Sequence, residues 1–334
     1  MWFIPYLIRH LGVSVYGIVP LTTTLIAYCG LLTLSFNSAV GRFLTINLQQ
    51  GLFSIANQIF NTAFFISLFL SGLLIPFAVG IIWATPYLFK LPPGQENGSQ
   101  VLIALSILAF IVTTIESNFA VSSWAYNRFD LRNGVALVSR LVQVGIVIFC
   151  FSLVEAQVWY VGLGLVGATS ISCIGSVILW RFLTPQLRVQ FTAFDRSQLR
   201  QLFGMSGWVF VNQIGSLFFL NTDLIIVNHF FRPEIAGQYG TILQLVVYIR
   251  SGAQMLVSVL TPTILAQYAE NDRAGMNRIS QQVVKFLGIV MAIPVGLLCG
   301  FASPFLVVWL GPSFREIAPL MVLLMVHLCI NLAL

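Results

Sequence analysis

The chain alternates long apolar runs with short polar connections. Windows of about 20 apolar residues, the length a helix needs to cross a bilayer core, fall at 15–38, 58–83, 101–122, 134–154, 158–180, 204–230, 236–262, 283–309 and 318–334. Residues 1–8 read as the tail of a further one. The runs are continuous Leu, Ile, Val and Phe, so each predicts a helix whose backbone bonds are satisfied within itself. The alternating segments of about 10 residues that build a membrane barrel do not occur.

Composition narrows this further. Lys and Arg number 16 and Asp and Glu 10 in 334 residues, 58% of which are hydrophobic, and mean hydropathy is +0.93. Soluble domains carry roughly 25% charged residues, so a water-soluble globular protein is excluded. The fold class predicted is an all-α polytopic membrane protein. At roughly 30–35 residues per span and loop the chain holds about ten spans.

The net charge of +6 does not point to nucleic acid, because the basic residues stand singly between apolar runs rather than in a patch with interleaved aromatics. They read as topology determinants. Arg42, Arg128, Arg132, Arg140, Arg181, Arg188, Arg196, Arg200, Arg273, Arg278 and Lys285, eleven in all, fall in connections on one side. Arg9, Lys90, Arg232 and Arg315, four in all, fall on the other. The positive-inside rule puts the first set in the cytoplasm. Arg250 belongs to neither.

Cys29, Cys150, Cys173, Cys299 and Cys329 all lie inside apolar runs with no CxxC and no His at ligand spacing, so no disulfide framework, metal or cofactor is expected. His10, His229 and His327 stand apart from any carboxylate or Ser at catalytic spacing, so no enzyme chemistry is expected. The glycines Gly162, Gly164 and Gly167 read as close helix packing.

An internal repeat is visible. Tyr16-Gly17 and Tyr239-Gly240 recur at an offset of 223, and Trp83 and Trp309 at 226. Two halves of six spans each would be related by an axis along the membrane normal, as in parallel-repeat transporters. On that offset the first half would begin before Met1 and the second would continue past Leu334, so the chain is expected to be a piece of a protein of twelve or more spans. The domains predicted are an N-terminal lobe at 1–184, a basic amphipathic linker at 185–203 and a C-terminal lobe at 204–334.

Set side by side, the repeat motifs carry a resemblance. They are the pairs Leu11-Gly12 and Tyr16-Gly17, the Tyr-Asn-Arg-Phe-Asp run at 126–130, Asp223 within Asn-Thr-Asp-Leu-Ile-Ile, the Ala-Gly-Gln-Tyr-Gly run at 236–240, and the Trp-Leu-Gly-Pro-Ser-Phe run at 309–314. In order and placement they resemble the polysaccharide flippase branch of the multidrug/oligosaccharidyl-lipid/polysaccharide exporter superfamily. The resemblance implies two helical lobes around a cavity that opens alternately to either side of a bacterial inner membrane. Its cargo would be a lipid-linked oligosaccharide of the undecaprenyl-pyrophosphate type. Its partners would be membrane lipids and polysaccharide polymerase or assembly proteins, with no nucleic acid.

Charges within spans are the candidates for cargo contact, since each costs about 2.5–3.5 kcal/mol on insertion scales. Arg250 falls near the middle of its span, Asp223 in the outer half of the one before, and Glu116 two thirds along its own. At 100° per residue Asn212, Ser216 and Asp223 share one helix face, and Arg250, Gln254 and Thr261 another. Two polar stripes on consecutive helices suit a wet interior. The substrate-binding set is therefore Arg250, Asp223, Gln254, Asn212 and Glu116. Arg suits a pyrophosphate or acidic sugar because its planar fork donates two hydrogen bonds and stays charged. A structural pair with Asp223, or a snorkelling position at the lipid, are the other readings of Arg250; Glu116 reads equally as a cation site or a neutral carboxyl in the bundle.

Within 181–203, Arg188, Arg196 and Arg200 alternate with Leu187, Val189, Phe191, Phe194 and Leu199, the pattern of an interfacial segment on anionic headgroups. Asp195 followed by Gln198 has the form of a capping box and predicts a helix start. As alternatives to a flippase stand a multidrug or peptidoglycan-precursor exporter of the same superfamily and, more remotely, a membrane polymerase or glycosyltransferase. The last would need an acidic, metal-binding external loop, whereas the long outer connection at 84–100 has only Glu96.

Overall fold

A computed structural model describes residues 2–269, 273–326 and 328. Its helices are α1 (Phe3–Leu11), α2 (Val13–Tyr16), α3 (Ile18–Gln49), α4 (Phe53–Leu88), α5 (Glu96–Ala125), α6 (Phe129–Leu153), α7 (Trp159–Leu183), α8 (Arg196–Phe230), α9 (Pro233–Ala269), α10 (Arg273–Gly300), α11 (Ala302–Leu310) and α12 (Ala318–Val326). Short 3₁₀ turns stand at Phe191–Ala193 and Pro312–Ile317. Among the described residues seven helices are long and apolar enough to cross a membrane. The all-α polytopic class read from the apolar runs is the one the chain adopts.

The helices outrun the apolar windows that predict them. The 36 residues of α4 span roughly 54 Å at 1.5 Å each, against a hydrocarbon core of about 30 Å. Its last turns stand beyond the apolar window, and the outer connection expected at 84–100 contracts to 89–95. Once propagation is under way each added residue gains a hydrogen bond, so a helix stops at a cap or a turn rather than where hydropathy falls. Between α3 and α4 the stop is Gly51, whose φ of 72° closes a tight turn in which the Leu52 amide donates to the Asn47 carbonyl at 2.9 Å.

The chain forms two compact units, residues 10–236 and residues 1–9 with 237–334. In the larger, α7 lies against both α5 and α6, and α3 against α5 and α8. The glycines of α7 explain the closeness. A Cβ on Gly164 would stand 2.8 Å from the Gln143 carbonyl oxygen, and one on Gly162 2.9 Å from Leu105. Gly167 and Gly175 are equally tight against Ile146 and Val135. The sequence reading of these glycines as packing positions holds.

One end of this unit is closed by an aromatic core in which Phe60 stacks on Trp180 with centroids 5.3 Å apart and Phe119 meets Trp180 edge-on. Leu187, past the end of α7, is fully buried in the same cluster. Leu202 at the start of α8 packs among Phe36, Val40 and Ile66. Gln49 at the end of α3 donates to the Ala125 carbonyl at the end of α5, so Arg128 and Arg188 share this end of the unit. At the other end Lys90 meets Asn228. The loop parity assumed in counting charges is therefore the parity of this unit.

In the smaller unit α9 packs on α10 through Ala253, Leu287 and Met291. The turn after α11 buries Phe314, and the Gln238 amide donates to the Ser313 carbonyl at 3.3 Å.

Candidate functional site

The candidate residues fall into three polar groups on otherwise apolar helices. The first is on α8. Tyr28 of α3 and Thr222 of α8 share a hydrogen bond of 2.9 Å between their hydroxyls, and the Tyr28 ring meets Phe218 edge-on. Asp223, half-buried beside Thr222, accepts from the Leu224 amide at 2.9 Å. Ser216 and Asn212, two and three turns earlier, are exposed. The polar face predicted for α8 thus has a closed end near Asp223 and an open end at Asn212.

Glu116 of α5 makes the second. Its Oε1 accepts from Ser172 Oγ at 2.5 Å and Ser176 Oγ at 2.9 Å. The two serines are one turn apart on α7, so the carboxyl ties α5 to α7. Arg132 of α6 lies over the Trp124 ring at 4.7 Å and is near enough to feel the Glu116 charge. Glu116 and Asp223 therefore belong to separate clusters. Neither Ser172 nor Ser176 was singled out in the sequence, where serine is common in membrane helices; their i, i+4 spacing was the available signal.

The third group is on α9, in the smaller unit. Arg250 stands 17 residues after Pro233 and 19 before Ala269, at the middle of the helix. It is half-buried, its Nε and Nη2 closed to solvent, between Ile249 and Ala253, which pack toward α10. Gln254, one turn on, is exposed. The side chain of Thr261, together with His327 and Cys329, lies outside the described residues.

Sequence reasoning missed the polar side chains of α4. Asn57 Oδ1 accepts from the Arg188 amide at 2.8 Å, Asn61 Oδ1 from the Gln190 amide at 2.7 Å, and Thr62 Oγ1 from the Asp195 amide at 3.1 Å. The segment after α7, expected at the lipid headgroups, is stitched along α4, with Phe191 stacked on Phe65. The helix start expected at Asp195 is there: its carboxylate accepts from the Ser197 amide at 2.7 Å and from the Ser197 hydroxyl at 2.8 Å. Those two bonds hold the Asp195 carboxyl below its ordinary range. Among the described residues no cluster of His, Cys, Asp and Glu has the makings of a metal site.

A family model described as polysaccharide biosynthesis protein matches residues 1–267. The chain belongs to that family. The chain is 28% identical over 333 residues to EpsK, an uncharacterised membrane protein of Bacillus subtilis (strain 168). The match takes in all of this chain and 66% of the length of EpsK. In fold it is similar to a multidrug resistance MATE family transporter of the MOP superfamily solved in an inward-facing conformation. The TM-score is 0.62 at 14% identity, over 100% of this chain and 81% of that one.

Proposed function

We propose that this family member moves a lipid-linked oligosaccharide, of the undecaprenyl-pyrophosphate type, from the inner to the outer leaflet of a bacterial plasma membrane. Transport would proceed by alternating access between lobes at 1–184 and 204–334. Family and transporter fold support a flippase-type transporter; Arg250 carries the choice of cargo. An ionisable group at the centre of a 37-residue membrane helix is a candidate for cargo contact, and Arg250 is half-buried there. A pyrophosphate or acidic sugar supplies an anion, and the fork of Arg binds either through two parallel hydrogen bonds. Gln254 on the same helix face would add a neutral donor and acceptor. Asn212 and Asp223 would line the path on α8, and Glu116 would hold α5 against α7. Polymerase or assembly proteins would receive the product.

The test is export of surface glycan at equal membrane levels of protein. Arg250→Lys keeps charge but loses the fork, and is expected to retain part of the export; Arg250→Ala is expected to retain little. Normal export by both variants would overturn the cargo assignment. The similarity to a multidrug transporter favours drug extrusion as the second reading; drug sensitivity restored by the wild type and unaffected by the glycan pathway would select it.

A further inference from the structure

At the end of the larger unit where α4 and α8 stop, a cavity of about 420 Å³ opens among Tyr87, Phe89, Lys90, Glu96 and His229. That is the lower part of the size range of small-molecule sites. Its wall is fixed from behind. The Asn228 side chain, 1% exposed, accepts from the Lys90 amide at 3.1 Å and donates to the Lys90 carbonyl at 3.3 Å. This locks the connection after α4 to the last turn of α8. At Leu88 the cavity meets an apolar depression of about 450 Å³ along α4, lined by Pro76, Phe77, Gly80, Ile81, Ala84 and Leu88. Those positions recur every four residues, so they form one stripe that runs from the cup back along a membrane helix.

We infer that this cup and stripe form an outer-face docking site for a prenyl-linked saccharide, with the sugar in the cup and the isoprenoid chain along α4. The inference rests on the flippase reading and names where its product waits. The chemistry of the cup selects a hydroxyl-rich head. Lys90 and His229 donate, Glu96 accepts, and the Tyr87 ring, 80% exposed, gives a flat apolar face for the C–H side of a sugar ring. The pyrophosphate that joins sugar to prenyl chain falls between the two surfaces, where Lys90 and the amide ends of α5 and α9, at Glu96 and Pro233, offset the carbonyl ends of α4 and α8. A wholly apolar drug would leave three polar groups desolvated without partners. A prenyl chain on the stripe needs no such partners, and Leu88 joins the two surfaces.

Site-specific photocrosslinking tests the site. p-Benzoylphenylalanine is placed in turn at Tyr87, at Ala84 and, as a lipid-facing control, at Phe149 of α6, in cells that export surface glycan and are labelled with a tritiated isoprenoid precursor. Sugar-bearing isoprenoid adducts are expected at positions 87 and 84 and not at 149. Glu96→Gln or His229→Ala is expected to lower the adduct at position 84 at least about fivefold, as loss of one charged hydrogen bond does, at unchanged protein level. Adducts no stronger than at 149, adducts of isoprenoid without sugar, or phospholipid adducts alone would each overturn the site. Export measured in the same strains separates this from its parent reading: intact export with no sugar-bearing adduct removes the docking site only, whereas export unchanged by deleting the protein removes the flippase reading itself.

Discussion

Asn61 and Arg188, 127 residues apart, are joined by a hydrogen bond of 2.8 Å from the Asn61 amide to the Arg188 carbonyl, while Asn61 Oδ1 accepts from the Gln190 amide at 2.7 Å. A buried asparagine on a membrane helix thus treats the passing chain as a neighbouring strand would, taking one N–H and giving one. The segment that sequence pattern casts as a basic amphipathic linker is fastened to α4 along residues 188–195.

Replacing Asn61 by Leu removes both bonds and leaves the Arg188 carbonyl and Gln190 amide without those partners. Destabilisation of about 1–3 kcal/mol is expected, read as a lower midpoint of thermal unfolding in detergent, with faster tryptic cleavage at Arg188 and Arg196. An Asn61→Leu protein as stable and as protease-resistant as the parent would show that the bonds contribute nothing net.

Gly164→Ala sets a methyl 2.8 Å from the Gln143 carbonyl oxygen, a backbone atom with no rotamer to change. The cost expected is about 1–3 kcal/mol. Gly145 on α6 has nothing within 4 Å of its would-be Cβ, so Gly145→Ala is expected to be neutral or stabilising by up to about 1 kcal/mol through helix propensity. Equal midpoints for the two variants would refute the packing account of α7.

The tie between α5 and α7 predicts coupling. In a double-mutant cycle, Glu116→Ala and Ser172→Ala are expected to interact by about 0.5–3 kcal/mol, because each removes the partner of the other. Additive effects would mean that the carboxyl finds its stabilisation elsewhere, for example in Arg132.

Asp195 sets a pH dependence. Its carboxyl is held below its ordinary value by the Ser197 hydroxyl and amide, so the native state favours the ionised form. That contribution is complete above the unfolded-state value and is lost as pH falls through the lower folded value. The start of α8 is therefore expected to loosen on acidification below about pH 4, seen as faster amide exchange at Ser197. Asp195→Asn, which can still cap, is expected to remove this acid dependence; the same dependence in the variant would assign it to another group.

Much of the molecule was legible in the sequence. Apolar length alone predicted membrane helices, because a span must bond its own backbone and the bilayer sets its length. The cap at Asp195 could be read because it depends on neighbours within a turn, and the packing glycines of α7 because glycine repeated along an apolar run marks a close helix contact whichever helix supplies it. The family could be read because short motifs stand in order along the chain. Helix ends were less legible: propagation carries α4 and α5 past their apolar windows and leaves a short connection where a long loop was expected.

What the tertiary structure decided is which polar groups meet. An Asn or Glu in an apolar run declares that it needs a partner, since burying it alone is costly. It does not say which of many distant segments will supply one. Glu116 found Ser172 and Ser176, Asn228 the Lys90 backbone, and Asn57, Asn61 and Thr62 the chain after α7. Periodicity records which face of a helix is buried, a local property written every 3.6 residues. The partner across the interface depends on how whole helices stack, and the sequence carries no local mark of that.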